Sequence, residues 1–141
     1  MRISLGADDT ADVVDAVDGE LRNRGHEVRK YEPEQWPDVA EKVARDVATG
    51  RADQGVLFCW TGTGTCMAAN KVPGIRAALA WEPWIAESAR KWNDANVLVM
   101  SLKRTPSKTA LAIVDAWLAV DRPDPTEAAN IAKLSELDLR R

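Results

Sequence analysis

The seven residues Cys59-Trp60-Thr61-Gly62-Thr63-Gly64-Thr65 gather one thiol, three hydroxyls and two glycines, a set suited to moving a proton beside a stabilised negative oxygen. They follow the apolar run Gly55-Val56-Leu57-Phe58 and precede a helix-compatible stretch from Cys66 to Lys71, so they lie where a strand hands over to a helix. Glycines in such a turn let backbone N–H groups approach a ligand closely, and the partial positive charge of a helix start favours an anion or a developing oxyanion. The hydroxyls of Thr61, Thr63 and Thr65 add donors. No Gly-Lys-Ser/Thr follows, and the third glycine of Gly-x-Gly-x-x-Gly is missing, so neither a nucleoside triphosphate loop nor a dinucleotide loop is indicated. A thiol at the mouth of such a turn is made more acidic by the helix start and can serve as a general base. Cys59 fits equally well as a small core residue closing its strand, because free cysteine is among the most buried residue types. Cys66, one turn further on, reads as core.

Other chemistry-bearing residues are few. Asp8-Asp9 ends the first apolar run, either as a carboxylate pair sharing a proton or as the cap of the next helix. The single histidine, His26, reads as a surface residue at a strand start, which leaves no His-rich metal set and no Ser-His-Asp or Cys-His arrangement. No metal and no cofactor are expected. Two cysteines at this spacing give neither a Cys-x-x-Cys pair nor a disulfide scaffold, so a reduced, cytoplasmic setting is expected. A net charge of -3, with Lys and Arg scattered along the chain, argues against nucleic acid as a partner. No apolar run approaches the ~20 residues of a membrane span, and Met1 to Leu5 leads straight into a strand; a soluble chain with no membrane partner and no signal peptide is expected.

The elements that must position these residues alternate between buried-strand runs and helix-period stretches, the pattern of a parallel sheet covered on both faces. Strands are expected over 3–7, 26–31, 55–59, 75–80 and 95–101. Helices are expected over 11–24, from Trp36-Pro37 to Gly50, and over 66–71, 83–92, 107–120 and 126–139. In such a three-layer α/β fold, ligands bind outside the carboxyl ends of the strands. The site should therefore gather Asp8-Asp9, Cys59 to Thr65, Trp81-Glu82 and Ser101 to Arg104. Asp121 to Pro125 reads as a hinge, dividing a domain over 1–121 from a terminal helix within 122–141 that packs on a neighbour. Six tryptophans against one Tyr and one Phe also need placing; Trp81 and Trp84 are expected to cover the sheet.

Three motifs agree in order and spacing with one known family. Gly55-Val56-Leu57-Phe58-Cys59-Trp60-Thr61-Gly62-Thr63-Gly64, then Ala68-Ala69-Asn70-Lys71-Val72-Pro73-Gly74-Ile75-Arg76-Ala77-Ala78, then Asn93-Asp94-Ala95-Asn96-Val97-Leu98 resemble the ribose-5-phosphate isomerase B and galactose-6-phosphate isomerase family. The resemblance implies a Rossmann-like five-stranded fold and a homodimer, in some members a tetramer, with active sites between subunits. It also implies metal-free aldose–ketose isomerisation of a small carbonyl or sugar-like substrate. One base moves a proton between adjacent carbons while the glycine loop holds the enediolate oxygen. Cys59 matches the position of the family's cysteine base, with Asp8 and Thr61 beside it as further catalytic groups. Asp9, Gly62, Thr63, Gly64, Thr65, Asn93 and Lys103 match substrate-contacting positions.

Departures from the family pattern change what that site would accept. Trp92 stands where the resemblance puts a ring-opening histidine, Trp36 replaces a tyrosine, and Trp60 replaces a glycine. Thr126 and Asn130 replace phosphate-gripping arginines, and Lys103, with Arg104 beside it, is what remains of the clamp after the fifth strand. Neither Thr nor Asn offers arginine's bidentate fork to phosphate, and indoles suit flat or apolar faces. The expected substrate is less anionic or more apolar than ribose 5-phosphate: unphosphorylated, already open-chain, or larger. A non-catalytic binding or partner subunit that keeps the fold is the other expectation.

Overall fold

A computed structural model describes residues 1–140. The chain runs β1 (Arg2–Ala7), α1 (Asp12–Asn23), β2 (Glu27–Lys30), α2 (Trp36–Ala48), β3 (Gln54–Cys59), α3 (Thr63–Asn70), β4 (Ala77–Leu79), α4 (Pro83–Asn93), β5 (Val97–Ser101) and α5 (Ser107–Leu118). A single 3-10 turn, Pro125–Glu127, leads into α6 (Ala128–Asp138). All strand pairs are parallel and the sheet order is β2-β1-β3-β5-β4. Apolar side chains alternate along the strands between two cores, one per face. Leu5, Val56, Phe58, Leu98 and Met100 meet α1, α4 and α5, with Trp117 and Val17 among them. Leu57, Val97 and Val99 meet α2 and α3 through Val43, Ala44 and Ala69. The buried indole of Trp117 keeps its polar edge satisfied, Nε1 donating to Gln54 Oε1 at 2.8 Å.

Two elements differ from the sequence expectation. Helix α3 starts at Thr63 rather than Cys66, because Gly62 takes φ 82° as its N-cap and turns the chain within one residue. The fourth strand keeps only three of the expected residues. Gly74, at φ 89°, makes a tight turn, and the Arg76 amide is taken by the Asn96 side chain while its carbonyl accepts from Asn96 N and Val97 N.

Those bonds explain the second and third motifs as scaffold. Asn70 brackets the edge strand, accepting from Ala77 N at 2.8 Å and donating to Ala77 O at 3.0 Å. Asn96 does the same for the turn before it, accepting from Arg76 N at 2.8 Å and donating to Gly74 O at 3.0 Å. Arg76 reaches across to Asp94, donating to its carbonyl at 2.7 Å and to Oδ2 at 3.1 Å. Side chains thus supply partners that a neighbouring strand would otherwise offer at this sheet edge.

Candidate functional site

Register places three chemistry-bearing side chains in a row. Ala7 pairs with Phe58, and Cys59 pairs with Ser101, so Asp8, Cys59 and Ser101 end three adjacent strands about 4.8 Å apart. By strand alternation all three face the α2–α3 side. Asp8 is half-buried and its Oδ1, fully buried, has no hydrogen-bond partner among the described residues. Burial pushes its carboxyl above the usual carboxylate range, its own backbone amide opposes that, and the charge of Asp9 adds to the rise. Ser101, expected at the end of the fifth strand and among the residues gathered at the strand ends but given no role, donates from Oγ to Trp60 O at 2.6 Å and accepts from Arg104 N at 3.1 Å. Its signal was positional: it ends β5 directly beside Cys59.

Cys59 is 4% exposed, which fits its reading as a core residue closing the strand better than a thiol at an open mouth. Its sulfur accepts a hydrogen bond from Thr65 Oγ1 at 3.4 Å. Thr65, expected as a substrate contact, is itself 0% exposed in this chain. Thr61 and Thr63 are exposed, their hydroxyls 2.7 Å apart, and Thr63 N donates to Thr61 Oγ1 at 3.3 Å. The first intrahelical bond of α3 is Cys66 N to Gly62 O at 3.2 Å, so the amides of Thr63, Gly64 and Thr65 precede it and point along the helix start. Gly64 lies under Trp36: a Cβ built on it would come within 3.0 Å of the indole Cδ2 and Cε3. Lys103 Nζ sits over the Trp60 ring.

Asp9 makes no helix cap. It is exposed and accepts from Thr10 N at 2.8 Å, while α1 begins at Asp12 with Ala11 as an N-cap that offers no side chain bond.

Trp92 and Asn93 lie elsewhere. Helix α4 starts beside the carboxyl end of β4 and its 11 residues carry it about 16 Å back along the sheet. Asn93, at its far end, lines a cavity of about 490 Å3 with Asn70, Arg76, Ala95, Leu134 and Leu137. The Trp92 ring leans back onto Trp84, centroids 6.0 Å apart and planes at 79°. A single chain therefore holds no aromatic cleft between Trp60 and Trp92. Trp81 and Trp84 do not cover the sheet either, being 64% and 58% exposed. The site residues fall into two groups: Asp8, Asp9, Cys59 to Thr65, Trp36 and Lys103 at one end, Asn93 with the root of Trp92 at the other. Among the described residues no group of three or more His, Cys, Asp or Glu is arranged to hold a metal, and no helix is long and apolar enough to cross a membrane.

A doubly wound parallel sheet, with a thiol and an αL glycine turn at the carboxyl end of its third strand, defines a Rossmann-like α/β protein. The family model described as Ribose/Galactose Isomerase matches residues 3–134. The chain is 38% identical over 103 residues to ribose-5-P isomerase B of Listeria innocua, covering 73% of this chain and 70% of that one. It is 33% identical to D-erythrulose-4-phosphate isomerase of Pectobacterium atrosepticum over 95% of this chain and 93% of that one. The solved ribose-5-phosphate isomerase B of Clostridium thermocellum superposes with a TM-score of 0.94 at 35% identity, covering 99% of both chains. This chain belongs to the ribose/galactose isomerase family, whose members are sugar-phosphate isomerases.

Proposed function

We propose that the protein interconverts an open-chain aldose phosphate and its ketose, with Cys59 as the base, in a site shared between two copies of the chain. The observation that carries this reading is the row Asp8, Cys59 and Ser101 ending beside the amides that open α3. The Cys59 thiolate takes the proton from C2 of the aldose. The C–H electron pair becomes the C1–C2 double bond, and the carbonyl pair moves onto O1, where the loop amides meet the developing charge. Asp8, whose carboxyl is pushed up by burial, carries the hydroxyl proton from O2 to O1, and the thiol returns its proton to C1. The atoms balance with no added reagent.

Two features favour a four-carbon substrate. A relative matching nearly the whole chain is named D-erythrulose-4-phosphate isomerase. An aldotetrose 4-phosphate carries its ester on the one hydroxyl able to close a five-membered ring, so it is always open-chain and needs no ring-opening acid. Trp92 at the place where the resemblance implies a ring-opening histidine is then no loss. Of the substrates expected from sequence, the already open-chain one is preferred to a less anionic one, since Lys103 keeps a cation beside the loop.

The site is shared because one chain separates its halves. The edge of β4 and its flanking helices present Met67, Trp81, Trp84, Trp92, Leu134 and Leu137, all at least 40% exposed, an apolar face of the kind a second copy covers. Helix α6, with no buried residue of its own, fits the same surface.

Incubation with D-erythrulose 4-phosphate in deuterated water is expected to give the aldose with deuterium at C2, and Cys59→Ala to abolish it. Exchange that survives Cys59→Ala removes the cysteine base. The low exposure of Cys59 favours a second reading, a binding subunit without turnover; it predicts substrate binding by calorimetry with no exchange and no alkylation of native Cys59.

A further inference from the structure

We propose that Thr65 is a positioning residue whose hydroxyl turns toward Cys59 and holds the sulfur in its proton-accepting orientation; this rests on Cys59 being the base.

The Thr65 hydroxyl has one proton and two acceptors at equal distance. Oγ1 lies 3.4 Å from Cys59 Sγ and 3.4 Å from Gly62 O. The second contact is the ordinary back-bond of a threonine to its own helix turn. Gly62 O already accepts from Cys66 N at 3.2 Å, so it loses little when the hydroxyl turns away. Thr65 is fully buried, and no bulk water competes for either partner. When the sulfur carries a negative charge, the hydroxyl donates to it, and a hydrogen bond to an ionised acceptor is the stronger kind. When the sulfur holds the proton taken from carbon, the hydroxyl swings back to Gly62. The rotor thus follows the charge on the base through the catalytic cycle without any bond being made or broken. The same contact restrains the orientation of the sulfur.

The titratable groups near the sulfur are Asp8 at the end of β1, Cys66 on α3 itself, and Lys103 beyond β5. Burial pushes the Cys66 thiol up, the Leu79 amide opposes this, and the neighbouring Cys59 adds to the rise. Cys66 therefore stays protonated and does not compete as a nucleophile near neutral pH. The Thr65 hydroxyl reaches the Cys59 sulfur directly, at 3.4 Å, so its loss is one the sulfur should feel.

The test uses the full chain and the variants Thr65→Val, Thr65→Ser and Cys59→Ala. Valine keeps the shape and removes the donor. We expect Thr65→Val to lower kcat roughly ten-fold with KM unchanged within about two-fold, the loss of one charge-assisted bond felt in the reacting state. The pH profile of Cys59 alkylation by iodoacetamide should move about one unit to higher pH, the same ten-fold in thiolate population. Thr65→Ser should restore both. A valine variant with parental pH curves, or a serine variant no better than valine, overturns the proposal. If Thr65→Val does not fold, Thr65→Ala carries the same measurements. Activity that persists in Cys59→Ala overturns the cysteine-base reading instead, and the alkylation profile still reports on the Thr65 contact.

Discussion

Lys103 Nζ lies 4.4 Å from the centroid of the Trp60 ring, so the cation nearest the glycine loop is held by an indole where the family pattern has a glycine. Both residues are exposed, Trp60 at 55%, and an exposed pair of this kind contributes about 0.5–1 kcal/mol. That is enough to bias the rotamer of a flexible chain and too little to prevent it from leaving for an anion. The backbone beneath is fixed, since Ser101 Oγ and Lys103 N both donate to Trp60 O.

Lys103→Met should therefore weaken binding of a phosphorylated substrate with little effect on the proton transfer. The loss of one charged contact predicts a rise in KM of roughly 10-fold to 100-fold at low salt, with kcat changed far less. Steady-state kinetics at two ionic strengths check this, because the parent's KM should rise with salt and the variant's should not. Equal KM for the two proteins would remove Lys103 from the site.

The turn before α3 predicts a stability defect rather than a kinetic one. Gly62 has φ 82°, and an added Cβ would come within 2.5 Å of Leu79 Cδ1 and 3.2 Å of the Met100 carbonyl carbon. Backbone strain and overpacking together predict a cost of about 2–5 kcal/mol for Gly62→Ala, lowering Tm by roughly 10 °C. A calorimetric scan within a few degrees of the parent would show that the turn relaxes without cost.

A buried carboxylate predicts how the fold responds to acid. Asp46 accepts from Tyr31 OH at 2.6 Å, Ser4 Oγ at 2.9 Å and Arg51 Nε at 3.0 Å. Burial alone would push its carboxyl up; the bonds from Tyr31, Arg51 and Ser4, with the nearby Arg29 charge, outweigh it and hold it below the ordinary carboxylate range. A folded-state value below the unfolded one, ~3.9, stabilises the fold at pH above about 4 and loses that contribution as pH falls through the folded-state value. Asp46→Asn should cost about 1–3 kcal/mol at neutral pH and flatten the fall in Tm between neutral pH and acid. Parallel curves for parent and variant would assign acid sensitivity elsewhere.

What the sequence made legible was local. The recurrence of Val39, Val43 and Val47 at every fourth residue and the pure apolar runs of β3 and β5 are signals a short window carries, and the strand-end rule placed Asp8, Cys59 and Ser101 at one end of the sheet. The rest depends on contacts between distant residues. Asn70, Arg76, Asp94 and Asn96 stood out by pattern, yet their hydrogen bonds to one another and to the β4 edge were invisible until the chain folded. Thr65 looked like another loop hydroxyl because helix α3 was placed three residues late; once it begins at Thr63, Thr65 turns inward. The separation of Asn93 from Cys59 follows from the direction in which α4 runs, which a parallel sheet dictates but residue type does not.

That separation yields the sharpest prediction about assembly. If the site joins the strand ends of one copy to the α4 end of another, Cys59→Ala and Asn93→Ala damage different halves. A mixed dimer of the two then contains one site with both defects and one with neither. Random remixing of two inactive variants should recover about a quarter of parental activity, since half of the dimers are mixed and each has one intact site of two. Mixed dimers carrying distinct affinity tags can be isolated and assayed directly. A site confined to one chain can never be repaired in this way, so mixed dimers that form and remain inactive would show that Asn93 serves the fold alone. Trp84→Arg provides the companion measurement: a charge placed in the apolar face beside β4 should leave the secondary structure intact, shift sedimentation to the monomer and remove activity together with the dimer. A monomer that retains full turnover would contradict the shared site even if the remixing experiment were ambiguous in yield.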